Sequence, residues 1–169
     1  MGGMFSPGGD EVRWLDADEA LAWNGFLELL SVRQVLEAQL HHDSGLSFFG
    51  YLVLSTLATE QDRSARMSRL ARMTSCSPSR LSNVVGSFEK KGWITRQPDP
   101  EDRRAIRATL TEEGLEVVRA AAPGHVAAVR KHVTGALTPE QLRALVGIAQ
   151  RIGDTLPEGA HLLERTLDE

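Results

Sequence analysis

The chain has 169 residues, 41% hydrophobic and 25% charged, the make-up of an ordinary globular domain, which excludes a largely disordered chain. No uncharged apolar run reaches the roughly 20 residues of a membrane-spanning helix. The Gly-rich start lacks the basic flank and apolar run of a secretory signal, so a cytoplasmic protein is expected, and the lone Cys76 excludes an internal disulfide or a cysteine-based zinc cluster. The net charge of −4 conceals a strong polarity: residues 63–107 hold eleven Lys or Arg against four Asp or Glu, the remainder eight against nineteen, so the middle third suits a polyanion such as nucleic acid.

Residues 1–15 are expected to form a mobile arm, since the stretch is Gly-rich and has no apolar periodicity at its start. From Asp16 to His41 the residues Ala20, Trp23, Phe26, Leu27, Leu30, Leu36 and Leu40 recur every three or four positions and predict a long amphipathic helix. The run His42-Asp43-Ser44-Gly45 supplies stop signals, and Ser47 is placed to cap a second helix reaching Ala58. A third, short helix is predicted over 68–74. Ser77 followed by Pro78 starts a fourth, which buries Leu81, Val84, Val85 and Phe88 and turns Ser79, Arg80, Ser82, Asn83, Gly86 and Ser87 outward. Lys90 and Lys91 suit its negative C-terminal end, and Gly92 suits a left-handed stop.

The period then changes. Residues 93–97 and 105–110 read as two strands of a hairpin, joined by the charged, turn-rich loop 98–104. Thr111 caps a fifth helix carrying Leu115, Val118, Ala122, Val126, Val129 and Val133, which Pro123-Gly124 is expected to kink or split. Thr138-Pro139-Glu140-Gln141 is a capping box for a last helix with Leu142, Leu145, Ala149, Ile152 and Leu156 on one stripe. The predicted fold class is mainly α with a small β-hairpin.

Two short helices joined by a tight turn form a helix-turn-helix, and a hairpin directly after it makes a winged helix. An α-helix fits the major groove, and the short hydroxyl side chains Ser77, Ser79, Ser82 and Ser87 allow close backbone approach. Arg80 and Asn83 are the candidate base readers, because a guanidinium pairs bidentately with guanine and a carboxamide with adenine. Arg96, Arg103, Lys90 and Lys91 suit phosphate contacts.

The segment Leu81-Ser82-Asn83-Val84-Val85, the run Phe88-Glu89-Lys90-Lys91-Gly92-Trp93-Ile94-Thr95-Arg96-Gln97-Pro98-Asp99-Pro100-Glu101-Asp102-Arg103-Arg104 and the following Leu110-Thr111-Glu112-Glu113-Gly114 together resemble the MarR family of bacterial winged-helix regulators. The resemblance implies a homodimer whose first and last helices, within 16–46 and 111–169, form the interface. It also implies that a winged helix-turn-helix domain over 47–110 binds DNA, with the fourth helix in the major groove and the wing in the adjacent minor groove. The family's wing-tip arginine falls on Arg104 and its acid on Asp102, where a carboxylate can orient the guanidinium. The sequence departs from the family pattern at Phe88, where leucine is common. Gly86 costs helix propensity, about 1 kcal/mol relative to alanine.

In that family small, often aromatic or phenolic molecules bind between the dimer helices and the DNA-binding lobe, and the residues proposed to line such a crevice are Trp23, Phe26, His41, Phe48, Tyr51 and His125. Cys76, in the turn of the helix-turn-helix, reads as a packed thiol, with redox sensing as the alternative. His41-His42-Asp43, His125, His132 and His161 show no metal-binding spacing, no phosphate-binding glycine loop or nucleophile motif is present, and neither catalysis nor a cofactor is expected. The resulting expectation is a homodimeric regulator on a pseudo-palindromic operator, a repressor relieved by a small molecule. The competing expectation is a winged-helix module for an acidic protein partner.

Overall fold

The computed structural model describes residues 12–156. Most of the expected N-terminal arm, the chain beyond Leu156 and with it His161 lie outside the described residues. Helix α1 spans Ala17–Ser44 and opens on a reciprocal cap, Asp16 accepting from the Glu19 amide while Glu19 accepts from the Asp16 amide. Gly45 ends it at φ +67°, a left-handed conformation that glycine adopts without strain. Helix α2 (Phe48–Thr59) follows at once, capped by Ser47 Oγ, which accepts from the Gly50 amide at 3.0 Å. Glu37 of α1 accepts from the Phe48 amide at 3.0 Å and so fastens the start of α2 to α1.

Strand β1 (Ser64–Arg66) leads into α3 (Met67–Met73), and α4 (Pro78–Lys90) comes after a four-residue turn. Strands β2 (Ile94–Pro98) and β3 (Ile106–Leu110) form the hairpin, with Ile94 opposite Leu110 and Pro98 opposite Ile106. Sequence periodicity missed β1. Three residues are too few to show alternation, and the strand exists only because β3 pairs with it in antiparallel register, Ala65 opposite Ala108, giving the sheet order β1-β3-β2. Ser64 Oγ reinforces the pairing through Thr109 Oγ1 at 2.8 Å.

Helix α5 (Glu112–His132) is capped by Thr111, and α6 (Pro139–Gly153) by the Thr138–Gln141 box. The expected split at Pro123 does not occur: α5 runs unbroken, proline removing a single amide donor while the flanking turns persist. Gly124 serves a close approach. A Cβ there would sit 2.8 Å from Asp43 Oδ2 and 3.1 Å from Gln39 Nε2, so glycine lets α5 cross closely over α1.

The core lies under the winged part of the chain. Leu40, Val53, Leu54, Leu57, Leu70, Leu81, Val85 and Ile94 are fully enclosed, joined by Phe88, Leu110 and Leu115. Complete burial of each such side chain is worth about 1.5–3 kcal/mol. The first half of α1 and all of α6 are different. Leu21, Trp23, Leu29 and Leu30 are more than half exposed, α6 buries no residue, and Ile148 is 56% exposed. No helix among the described residues is long and apolar enough to cross a membrane.

Candidate nucleic-acid interface

The turn between α3 and α4 is built by side-chain and backbone caps. Thr74 Oγ1 donates to Leu70 O at 2.8 Å, the Cys76 amide donates to Ala71 O at 3.1 Å, and Ser75 takes a positive φ of 47°. Cys76 is half-buried, its Sγ 3.3 Å from Thr74 Oγ1, packed as a small apolar residue would be. Ser77 Oγ then accepts from the Arg80 amide, and Pro78 occupies the first helical position.

With Leu81, Val85 and Phe88 turned inward, Ser79, Ser82, Asn83, Ser87 and Lys90 stand exposed on the other side of α4, and Ser77 is exposed at its cap. Arg80 is exposed as expected, but its side chain does not stand free. Its guanidinium lies over the Phe49 ring, 4.2 Å from the centroid, because the long side chain leans back toward α2. In that position it also lines a cavity.

The wing is organised by a residue that sequence reading left among the ordinary loop acids. Asp99 is fully buried. Arg66 donates to it through Nε and Nη2, each at 2.9 Å, Arg107 through Nε at 3.0 Å, and the Glu101 and Asp102 amides at 3.0 and 3.2 Å. The Arg66 guanidinium foremost holds the Asp99 carboxyl far below the usual carboxylate range, against the opposing effect of burial. Arg66 also reaches Glu101 at 2.8 Å.

Asp102 does not hold the Arg104 guanidinium, contrary to expectation. Its Oδ1 accepts from the Arg104 backbone amide at 3.0 Å, so it shapes the turn and leaves the side chain outside the bond. Arg103 and Arg104 are exposed at the tip, and neither has an ion-pair partner among the described residues. Arg96, expected to be open to phosphate, is bound to Glu89 instead, its Nε 3.0 Å from Glu89 Oε2 and its Nη2 on the same oxygen. That bond lowers the Glu89 carboxyl below its usual value and raises Arg96. Lys91 packs its ammonium over Trp93, 4.5 Å from a ring centroid.

The six residues expected to line a crevice do not converge. Trp23 and Phe26 stack on the exposed half of α1, 5.8 Å between centroids, while Phe48 and Tyr51 surround His125 at 6.1 and 4.6 Å. His125 Nδ1 is buried without a partner, and burial pushes its pKa down and that of Tyr51 up. Only His41 of the six borders the cavity of about 940 Å³ between α1, α2 and α4, whose wall also includes Arg33, Glu37, Phe49, Arg80 and Val84. A signal for it was present in the sequence: Arg33, Glu37 and His41 follow one another at four-residue spacing on one helical face. Among the described residues no group of three His, Cys, Asp or Glu is placed to hold a metal ion.

Residues 50–106 match the model of the MarR family. The chain is similar to Sco3205, a MarR family transcriptional regulator from Streptomyces coelicolor solved in complex with DNA: identity is 41%, 86% of this chain and 92% of that one are covered, and the TM-score is 0.83. The chain belongs to the MarR family. A second family member from Streptomyces coelicolor, AbsC, is 38% identical over 85% of this chain and 97% of its own, with a TM-score of 0.76. Among curated relatives, the transcriptional repressor MprA of Escherichia coli is 32% identical over 73 residues, and the match spans 42% of MprA's length. The MarR model ends just past the wing tip and leaves out α1, α5 and α6, whereas the likenesses to Sco3205 and AbsC extend over 86% and 85% of the chain.

Proposed function

We propose that this MarR-family chain is a transcriptional regulator, not an enzyme, which binds double-stranded DNA in the cytoplasm as a homodimer. The observation that carries the reading is the pairing of an α4 outer face of Ser79, Ser82 and Asn83 with a hairpin tip whose Arg103 and Arg104 have no acidic partner among the described residues. The 41% identity to Sco3205, solved on DNA, supports it. Asn83 reads base edges in the major groove, Ser77, Ser79, Ser82, Ser87 and Lys90 meet backbone and base edges, and Arg104 enters the minor groove beside Arg103. Asp102 sets the turn that presents Arg104.

The exposed apolar faces of α1 and α6 suit a second copy of the chain. Two copies then address a pseudo-palindrome with half-sites roughly 10 bp apart, and bound protein represses by occupying the site. A small aromatic or phenolic effector fits the cavity beside Arg80, where apolar walls meet the Arg33 and Arg80 cations. It relieves repression by preferring a dimer geometry that no longer matches the operator.

The test is selection of bound fragments from a random or genomic duplex pool by the purified chain, followed by competition and salt titration. A palindromic consensus with a steep log-linear salt dependence is the expected result. Retention of no sequence above the pool would overturn the reading.

A further inference from the structure

Glu89 sits where a carboxylate is least welcome. It lies in the last turn of α4, at the negative end of the helix dipole, and in the middle of the basic third of the chain. Among the described residues its one bonded partner is Arg96 on β2, and the pair is about two-thirds buried, 33% and 38% of the side-chain surfaces remaining exposed. The guanidinium reaches back across α4: a Cβ on Gly86 would lie 3.9 Å from Arg96 Nη2. Gly86 is one turn from Ser82 and Asn83 on the face proposed for DNA, so Arg96 lies at the margin of that face.

Both Nε and Nη2 of Arg96 are engaged by Glu89, and Nη1 has no partner among the described residues. The pair carries no net charge at neutral pH. A phosphate approaching at random finds no attraction from it, and taking the guanidinium away would strand the Glu89 carboxylate among phosphates. A phosphate arriving along the open Nη1 edge meets a donor already held by two bonds, from Nε and Nη2, to one Glu89 oxygen.

We infer that Glu89 is a specificity-determining residue: it neutralises and aims Arg96, so that this cation contributes to a duplex seated in register and not to bulk DNA. The inference rests on the DNA-binding reading above. Arg96 acts on phosphate and Glu89 acts through Arg96.

The test measures affinity for the selected operator and for a random duplex of equal length, from 50 to 200 mM salt, in wild type, Glu89→Ala, Arg96→Ala and the double variant. In Glu89→Ala the freed guanidinium adds one phosphate contact to the random duplex. The slope of log K against log salt steepens by about 0.9, and the variant loses roughly threefold more affinity across that salt range than wild type. The ratio of operator to random-duplex affinity at 50 mM falls accordingly. In the Arg96→Ala background the Glu89 substitution changes neither slope nor ratio, and Glu89→Ala keeps a cooperative thermal melt with at most a small loss of Tm, as for a partly exposed ion pair. An unchanged slope in Glu89→Ala overturns the inference while the DNA-binding reading stands. So does an equal effect with and without Arg96, which would mean that the carboxylate acts by its own charge. Wild type that binds no duplex overturns both.

Discussion

Arg66 and Asp99 form a two-pronged pair, Nε and Nη2 each 2.9 Å from one carboxylate oxygen, that ties the strand entering the helix-turn-helix to the base of the wing. Because Asp99 also receives the Glu101 and Asp102 amides, the shape of the tip depends on its charge. Asp99→Asn would place an amide donor against two guanidinium groups. The expected outcome is a lower melting temperature and weaker operator binding with the dimer intact, read by calorimetry, gel shift and light scattering. The pH sign follows from the depressed carboxyl. The folded state holds the proton more weakly than the unfolded chain, so the Asp99 contribution is complete at neutral pH and is lost as pH falls below the ordinary value of 3.8. The variant should therefore lose less stability than wild type on acidification below about pH 4.

Arg104→Ala and Asn83→Ala should separate anchoring from reading. The first is expected to weaken operator binding strongly without changing dimerisation. The second should relax base preference at one position of the half-site by about 1–3 kcal/mol, read as a flattened column in a repeat fragment selection. Operator binding unchanged in Arg104→Ala would remove the wing from the interface.

What the sequence disclosed was local. The caps at Ser47, Thr111 and Thr138 lie within three residues of the amides they satisfy, and the apolar stripes repeat every turn, so the helices were legible with boundaries close to those observed. The helix-turn-helix and hairpin followed from those elements. The features that escaped are made by contacts distant in the chain. Arg66 precedes Asp99 by 33 residues, and nothing in the loop 98–104 distinguishes the one buried acid from Glu101 and Asp102, which stay exposed. Arg80 illustrates a second limit. A helical wheel places its Cα between the inner and outer faces, and the Phe49 ring decides which way the side chain leans.

Gly114→Ala should test the junction of wing and α5. A Cβ at Gly114 would run into Trp93 O, a backbone atom, and would come 2.7 Å from Leu110 Cδ1. Overpacking of this kind costs about 1–3 kcal/mol. A thermal melt unchanged from wild type would show that the junction yields.

His125 supplies a pH-dependent term of opposite origin. Burial between Phe48 and Tyr51 lowers its pKa from the ordinary 6.5, so the unfolded chain takes up the proton more readily. Stability is complete above that value and declines as pH falls through it. His125→Phe retains the aromatic packing, removes the unpartnered nitrogen and should flatten urea-denaturation stability between about pH 7 and pH 5.

Ile148 stands 56% exposed on α6, which buries nothing within its own subunit. Ile148→Lys is expected to shift the protein toward monomer in light scattering while its helical circular dichroism persists. An undiminished dimer would place the interface elsewhere.

The unbroken α5 has the geometry of a lever. Its first turn is clamped from below, since Thr111 Oγ1 donates to Gly92 O at 2.7 Å and the Thr111 amide donates to Trp93 O at 3.0 Å, at the junction where α4 ends and the hairpin starts. Its 21 residues make a rod about 31 Å long. A tilt of about 10° at the far end displaces the clamped end by about 5 Å, more than the 3.4 Å rise between successive bases. A hinge at Pro123 would absorb such a tilt, whereas a continuous helix would carry it to the junction of α4 and the hairpin.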